Sequence, residues 1–424
     1  MYISKLVKLL SNDCKIVLKI TSGEWINASR DKRELQVAQE LGAQVLVMAK
    51  GKPHDNKRFE KVDGFDVYRY STRPLGLRIP NNLNRIISIF IWSWKARSFH
   101  ADVISGHDLI PLFIGYLSTL FQSSNRRACL IYDSHEFELG RNTLRKRNRF
   151  TFWWIKNLER YLMNRCISSI IPCDSAADEV VKIHRLKSRP VVVRNIPSFW
   201  ELNTSLIDRN RNTFCNQLGL PTTRPNEGGS GLLMYHGAVV PGRGIENLIR
   251  TLELVTDVGL VIFGSCSREY QSSLQYLAEQ LGIVQRIIFH PYVPLEQLKD
   301  FIAAVDCGVI PIAPTSRSYF LSLPNKYFEC IQSLTPIIHP NFPEMSRITN
   351  QYGIGLTCDT EYPKNIARAI DTMLQDKESY AIMKENLKTA KEELCWEHER
   401  ERIVEVYKIA LSGEHSNIIL EGIK

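Results

Sequence analysis

The chain has 424 residues, 44% apolar and 23% charged, a balance that argues against a disordered or fibrous protein and fits soluble globular domains. It is too long for one ordinary hydrophobic core, so two domains are expected. The net charge of +9 and pI near 9.0 favour anionic partners: nucleotide phosphates, an anionic lipid surface or nucleic acid. Ten cysteines without a Cys-x-x-Cys pair argue against a zinc site or a disulfide framework, and for free thiols in a reducing compartment. No apolar run approaches the roughly 18 residues of a membrane span, the longest being Ile86–Trp92. The N-terminus has Lys5 and Lys8 but no signal-peptide apolar core, so the cytoplasm is the expected location.

In chain order, Lys15–Ile20 reads as a buried strand closed by Thr21-Ser-Gly-Glu24. Asp31–Leu41 has helical spacing (Leu35, Val37, Ala38, Leu41) and stops at Gly42. Strands follow at Ala43–Met48, Phe65–Tyr70 and Ala101–Gly106, the last ending in His107-Asp108. Helix Ile110–Phe121, the strand run Cys129–Glu136, helix Trp153–Arg165, strand Ser168–Pro172, helix Ser175–His184 and strand Pro190–Arg194 complete the first half. From Ile196 to Ser230, Pro197, Pro221, Pro225 and Gly228-Gly229 stand among polar residues and read as a linker. The alternation then restarts with strand Leu232–Tyr235, helix Ile245–Val255, strand Gly259–Phe263, helix Tyr270–Leu281, strand Arg286–Phe289 and helix Leu295–Ala304. The tail, Tyr380–Ala410, reads as one charged helical region around Trp396. Strands alternating with helices predict an α/β fold of two Rossmann-like, doubly wound parallel-sheet domains facing a central cleft. The expected boundaries are 1–196, a linker over 197–230, and 231–397, with a helix over about 398–424 packing back on the first domain.

The stretch with the most chemistry is Ser322-Leu-Pro-Asn-Lys-Tyr-Phe-Glu-Cys-Ile331. It lies between the strand-like runs Cys307–Ile312 and Pro336–His339, which makes a βαβ unit opening at the carboxyl edge of a parallel sheet, where such sheets bind ligands. Pro324 suits the start of a helix, and that helix start offers free N–H groups and a positive dipole end to an anion. Glu329, one turn in, is within reach of a sugar hydroxyl. The pattern is that of a nucleotide-diphosphate pocket.

Five segments carry a family resemblance. Leu233-Met-Tyr-His-Gly-Ala-Val-Val-Pro-Gly-Arg-Gly-Ile-Glu-Asn-Leu248 resembles the phosphate loop of the retaining nucleotide-sugar glycosyltransferases of family four, which have the GT-B fold. Ser322–Ile331 resembles that family's donor-binding helix, and Tyr132-Asp-Ser-His-Glu136 its N-terminal histidine motif. Ser29-Arg-Asp-Lys-Arg33 and Cys395-Trp-Glu-His-Glu399 resemble one branch of it. The chain departs from the pattern in three places: Ala238 stands where an arginine is frequent, Leu321 where a second glutamate is frequent, and Gly23 is the lone glycine near the first loop.

The resemblance implies a donor site with Gly237, Gly242, Gly244 and Gly264 near the nucleotide, Leu323 and Asn325 acting through backbone N–H groups, and Glu329 on the ribose. Arg243 and Lys326 would then be the cations that stabilise the departing diphosphate, where guanidinium binds phosphate bidentately. His135, with Asp133 and Glu136 beside it, would touch the transferred sugar or the reaction centre. Gly23, His107 and Asp108 fall on the same acceptor or sugar side, and Tyr292 is an aromatic candidate for stacking on the base. No metal and no cofactor are expected, and no nucleic-acid module is recognisable.

A basic run (Arg141, Arg145, Lys146, Arg147, Arg149) followed by Phe150, Phe152, Trp153 and Trp154 suits peripheral contact with an anionic membrane, or equally a half-buried helix with a solvated basic face. The expected function is transfer of a sugar, with retention, from a UDP- or GDP-sugar to a hydroxyl of a glycan or lipid-linked saccharide. Cell-surface polysaccharide synthesis at the inner face of the membrane is the expected setting. The rival readings are a nucleotide-sugar epimerase of the same architecture and a catalytically silent GT-B binding or scaffold protein.

Overall fold

A computed structural model describes residues 14–25, 29–51, 58–74, 80–120, 122, 127–141 and 148–412. Lys5, Lys8, Phe121 and three members of the basic run, Arg145, Lys146 and Arg147, lie outside them. The chain divides into two compact units, one formed by residues up to Arg194 together with those from Arg400 onward, the other by Asn195–Glu399.

In the first unit, strands β1 (Ile16–Ile20), β2 (Gln44–Lys50), β3 (Phe59–Val62), β4 (Phe65–Tyr70), β5 (Val103–His107), β6 (Cys129–Asp133), β7 (Ser168–Ile171) and β8 (Val191–Val192) form one sheet in the order β3-β4-β2-β1-β5-β6-β7-β8. All neighbours run parallel except the edge pair β3–β4, an antiparallel hairpin absent from the expected elements. Helices α1 (Ser29–Glu40), α2 (Asn81–Arg97), α3 (Leu109–Thr119), α4 (Arg149–Met163) and α5 (Asp174–His184) connect them. The central strand β1 is buried along its whole length, and its residues Val17, Leu18 and Ile20 are apolar, as a strand covered on both faces requires. Lys19 is the exception.

The second unit opens with helix α6 (Thr204–Leu218), which corrects the expected linker over 197–230. Asn203 caps its start by accepting a bond from the Leu206 N–H, and Gly219, at φ 64°, ends it in the left-handed conformation. Arg211 of this helix is buried, and its guanidinium donates to the Thr222, Ala304 and Thr223 carbonyls and to Asp306, fastening the segment to the sheet.

Strands β9 (Gly231–His236), β10 (Val258–Phe263), β11 (Ile287–His290), β12 (Cys307–Val309), β13 (Ile337–Pro340) and β14 (Gly355–Cys358) make an all-parallel sheet in the order β11-β10-β9-β12-β13-β14. Its helices are α7 (Ile245–Thr251), α8 (Arg268–Gln280), α9 (Leu295–Ala303), α10 (Asn325–Gln332), α11 (Pro343–Tyr352) and α12 (Pro363–Gln375). The strand order reverses between β9 and β12, so the loops leaving these two carboxyl ends meet at the switch point.

The tail is two helices, α13 (Lys377–Glu393) and α14 (Trp396–Ser412), rather than one. The break at Leu394-Cys395 is compensated by hydrogen bonds. Buried Gln332 donates to the Lys391 and Leu394 carbonyls, and the Trp396 N–H donates to the Pro197 carbonyl.

Candidate active site

At the second unit's switch point, β9 runs into the loop from Gly237 to Gly244, and β12 into the loop that ends at α10. Two glycines are obligatory on steric grounds. A Cβ on Gly244 (φ 77°) would stand 1.8 Å from the Pro311 carbonyl oxygen, and one on Gly264 (φ 144°) 1.8 Å from that of Gly237. They hold three loops in mutual contact. Gly242, by contrast, is exposed and has open space around it. The Tyr235 hydroxyl donates to the Ala238 carbonyl at 2.7 Å and so ties the first loop back to its strand.

Lys326, in the first turn of α10, is only 8% exposed, and its ammonium has no hydrogen-bond partner. It lies 3.9 Å from the centroid of the Tyr235 ring, and close enough to Gly237 that an added Cβ there would be 3.2 Å from Nζ. Burial, and then the charge of Arg243, press its pKa down to about 7. Arg243 carries a buried Nε that is also unpartnered, and its guanidinium lies over the Tyr319 ring at 4.9 Å. Glu329 offsets part of the charge on Lys326, but two neighbouring cations with no hydrogen-bonded anion are costly, and the arrangement is relieved when an anion enters.

No side chain caps the α10 start, so its first N–H groups face the same opportunity. Leu323 is buried and Asn325 exposed at that start. Helix α7 is shorter than expected, seven residues ending at Thr251, so on this side the loop and Arg243 matter more than a helix dipole. Glu329 Oε2 lies 2.8 Å from Nε2 of His236, a buried residue at the end of β9. Tyr292 is exposed and has no ring partner among the described contacts. The stacked ring in this unit is His290, 4.1 Å from Phe263.

In the first unit, the switch point between β1 and β5 holds a cluster of histidines and acids. His107 Nδ1 lies 2.9 and 3.1 Å from the two oxygens of Asp31 on α1. His135 Nε2 lies 3.0 Å from Asp133 Oδ2 and 3.4 Å from Asp31 Oδ1, and the two imidazoles overlap with centroids 3.8 Å apart. Burial opposes charge on His135, but Asp133 outweighs it and holds the pKa up at about 9. Asp108, at φ 68°, accepts from the His135 N–H at 3.1 Å and from Arg141 at 2.7 Å. Arg141 also holds Glu136, whose side chain is exposed. The contacts of Gly23 are local, to Thr21 and Lys50.

Asp31, His107, Asp133 and His135 offer ligand atoms within 4.8 Å of one another, a spacing that would suit a metal ion. The positive charge there is already supplied. The Lys19 ammonium sits 2.7 Å from Asp133, 2.9 Å from Glu34 and 3.0 Å from Asp31, and Arg30 adds a second contact to Asp133 at 2.9 Å. Asp31 and Asp133 are held well below the ordinary carboxylate range, because Lys19 overcomes the burial that opposes their charge.

Sequence reasoning missed Lys19, Asp31, Glu34 and His236 as site residues. Lys19 had a signal, a charge inside an otherwise apolar buried strand. The pairing of His236 with Glu329, across 93 positions, had none.

Two family models match the chain. The Glycosyltransferase Family 4 model matches residues 35–196, and the model for glycosyl transferases group 1 matches 223–390, so each falls in one unit. The chain belongs to the family 4 type of glycosyltransferases. An uncharacterized glycosyltransferase of Methanocaldococcus jannaschii is 24% identical to this one over 384 residues, 87% of this chain and 90% of that one. Among solved structures, a sucrose-phosphate synthase from Thermosynechococcus elongatus superposes with a TM-score of 0.74 at 13% identity, covering 94% of this chain and 99% of that one. HepE of Anabaena, solved in complex with UDP, gives 0.68 at 14% identity over 94% and 98%. At these identities the likeness establishes the fold, and the glycosyltransferase has the GT-B architecture of two Rossmann-like units.

Proposed function

We propose that this glycosyltransferase moves a sugar from a nucleotide-diphosphate sugar, with UDP or GDP as the nucleotide, to a hydroxyl of a glycan or lipid-linked saccharide. Configuration is retained and no metal is required. The observation that carries the reading is the buried, unpartnered ammonium of Lys326 beside the guanidinium of Arg243, whose buried Nε also lacks a partner, at the second unit's switch point. They supply the charge that a metal ion supplies elsewhere, stabilising the diphosphate as it leaves.

In the reaction, the bond from the anomeric carbon to the β-phosphate oxygen breaks and the acceptor oxygen bonds to that carbon on the same face. The acceptor proton passes to the departing phosphate. Glu329, oriented by His236, holds the ribose, and His135 and His107 belong to the acceptor or sugar side. HepE, on the same fold, has been solved with UDP and with UDP-glucose, which supports a uridine donor here. The setting is synthesis of a cell-surface polysaccharide at an anionic membrane face. No helix among the described residues is long and apolar enough to cross a membrane, so the contact is peripheral.

Calorimetric titration with UDP and GDP tests the donor site: one of the two binds at millimolar concentration or tighter. Arg243→Ala lowers turnover by about 10²–10³-fold if the guanidinium meets the leaving phosphate. Absence of binding by both nucleotides, or unchanged turnover in the variant, removes the assignment.

A further inference from the structure

Lys19 is fully buried in the middle of β1, the central strand of the first unit, and its ammonium is surrounded by acceptors from three other elements. Asp31 and Glu34 come from α1, Ser105 from β5 and Asp133 from β6, with Nζ contacts of 3.0, 2.9, 3.3 and 2.7 Å. On the far side, Glu34 Oε1 accepts from the Tyr407 hydroxyl of α14 at 2.8 Å and from Ser105 at 3.3 Å. On the near side, the two carboxylates that Lys19 holds are the ones that orient the histidines, Asp31 on His107 and Asp133 on His135. Arg30 is the second cation on Asp133.

Three carboxylates converge on one ammonium at a place where a parallel-sheet strand ordinarily carries an apolar side chain. Burying such a charge costs several kcal/mol even when it is paired. A sheet interior filled by Met or Leu would be simpler to fold, so stability alone does not account for a lysine here. What the lysine provides is a fixed cation behind the histidine pair, bonded to both acids of the four residues whose spacing would suit a metal. It holds both acids ionised and in place, which settles where each imidazole points and which of its nitrogens faces the acid.

We propose that Lys19 is a positioning residue for glycosyl transfer, a built-in ammonium that takes the place of a metal ion and, through Asp31 and Asp133, orients His107 and His135. The proposal rests on the assignment of the histidine pair to the reaction. It does not depend on the donor site, which lies in the other unit.

The test uses the full chain with Lys19→Met and with the double variant Lys19→Met/Glu34→Gln. The double variant removes the ammonium and the carboxyl group opposite it together, so Glu34 is not left without its cation if the single variant fails to fold. Three quantities are read: nucleotide affinity by calorimetry, turnover, and titration of the imidazoles by NMR on histidine-labelled protein. With the ammonium gone, Asp133 and Asp31 act on His135 uncompensated, so its imidazole titrates at higher pH than in the parent. Turnover falls by about 10²-fold, as expected when reacting groups lose their alignment. Nucleotide affinity stays at the parent value.

A folded variant with parental histidine titration and parental turnover overturns the proposal, because a lysine that served only packing would leave both unmoved. Displaced histidine titration with unchanged turnover also overturns it, since the histidines would then not need the orientation. If the parent itself binds no nucleotide, the donor reading fails on its own, and the histidine titration still decides whether Lys19 controls the pair.

Discussion

Lys326 shows how one residue can be poor for stability and suited to holding an anion. Its pKa, brought down to about 7 from an ordinary value near 10.5, means that below pH 7 the folded chain keeps an unpaired ammonium buried. The sign follows from linkage. The unfolded chain holds this proton up to about pH 10 and the folded chain releases it near 7, so stability rises with pH between those values. Lys326→Met therefore stabilises the unliganded second unit, most strongly at pH 7 and below and hardly at all near pH 10. Each kcal/mol gained raises Tm by about 2–4 °C for a unit of this size, and calorimetric scans at several pH values measure it. A bound diphosphate reverses the situation by giving the ammonium a partner. Nucleotide binding at pH 8 is then expected to take up close to one proton, readable from binding enthalpies in buffers of different ionisation heat. No proton uptake, together with unchanged affinity in Lys326→Met, would mean that the ammonium does not meet the phosphates.

At the scale of elements, most strands of both sheets were legible because each is a short, nearly continuous apolar run between turn residues, and the motif loops followed from them; β3, β14, α2, α11 and α12 were not among the expected elements. Two omissions have identifiable causes. The hairpin β3–β4 turns at Asp63-Gly64, both at positive φ, and an Asp-Gly pair is a recognised turn signal. It was passed over because Phe59–Val62 is half exposed and lacks a buried strand's apolar run. Helix α6 had its cap at Asn203 and its stop at Gly219 in plain view, but a polar composition between prolines made it look like a linker.

Much of what ties that helix to the sheet was invisible in sequence, because it depends on Arg211 meeting carbonyls and Asp306 as far as 95 positions away. The same holds for Lys19, Glu34 and Tyr407, brought together from the two ends of the chain. Arg211→Met strips the donor from several buried carbonyls and leaves Asp306 to Arg224 and the Leu232 N–H. It is expected to cost about 3–5 kcal/mol, the range for breaking a buried ion pair, measured as a lowered guanidinium midpoint for the second unit. A loss below 1 kcal/mol would mean that α6 is held by its apolar face alone.

For the molecule as a whole, the +9 charge asks for a surface that uses it, and the first unit offers one. Helix α2 turns Leu83, Ile86, Phe90 and Trp94 to solvent, with Trp94 72% and Phe90 62% exposed. Their spacing of three and four places them on one helix face, the reverse of a helix that hides its apolar stripe. Helix α3 touches both α2 and α4, and α4 exposes Phe150, Trp153 and Trp154 as well. Basic residues accompany both stripes: Arg85, Lys95 and Arg97 on α2, Arg149, Lys156 and Arg160 on α4.

Exposed aromatics beside cations are the composition of an interfacial helix, where rings enter the headgroup region and cations meet anionic lipid. This would bring the glycosyltransferase to a membrane surface, where the proposed lipid-linked acceptor would lie. The full chain is therefore expected to sediment with vesicles containing phosphatidylglycerol and to remain in solution with purely zwitterionic ones. Salt should weaken the association, because each basic residue near the surface contributes roughly 1 kcal/mol that falls off within a Debye length. Replacing Trp94 and Trp153 by Ser should release the protein from the vesicles while leaving UDP or GDP affinity unchanged, since neither residue belongs to the unit proposed to hold the nucleotide. Equal binding to neutral and anionic vesicles, or full binding by the double variant, would assign the exposed stripes to something other than a charged membrane.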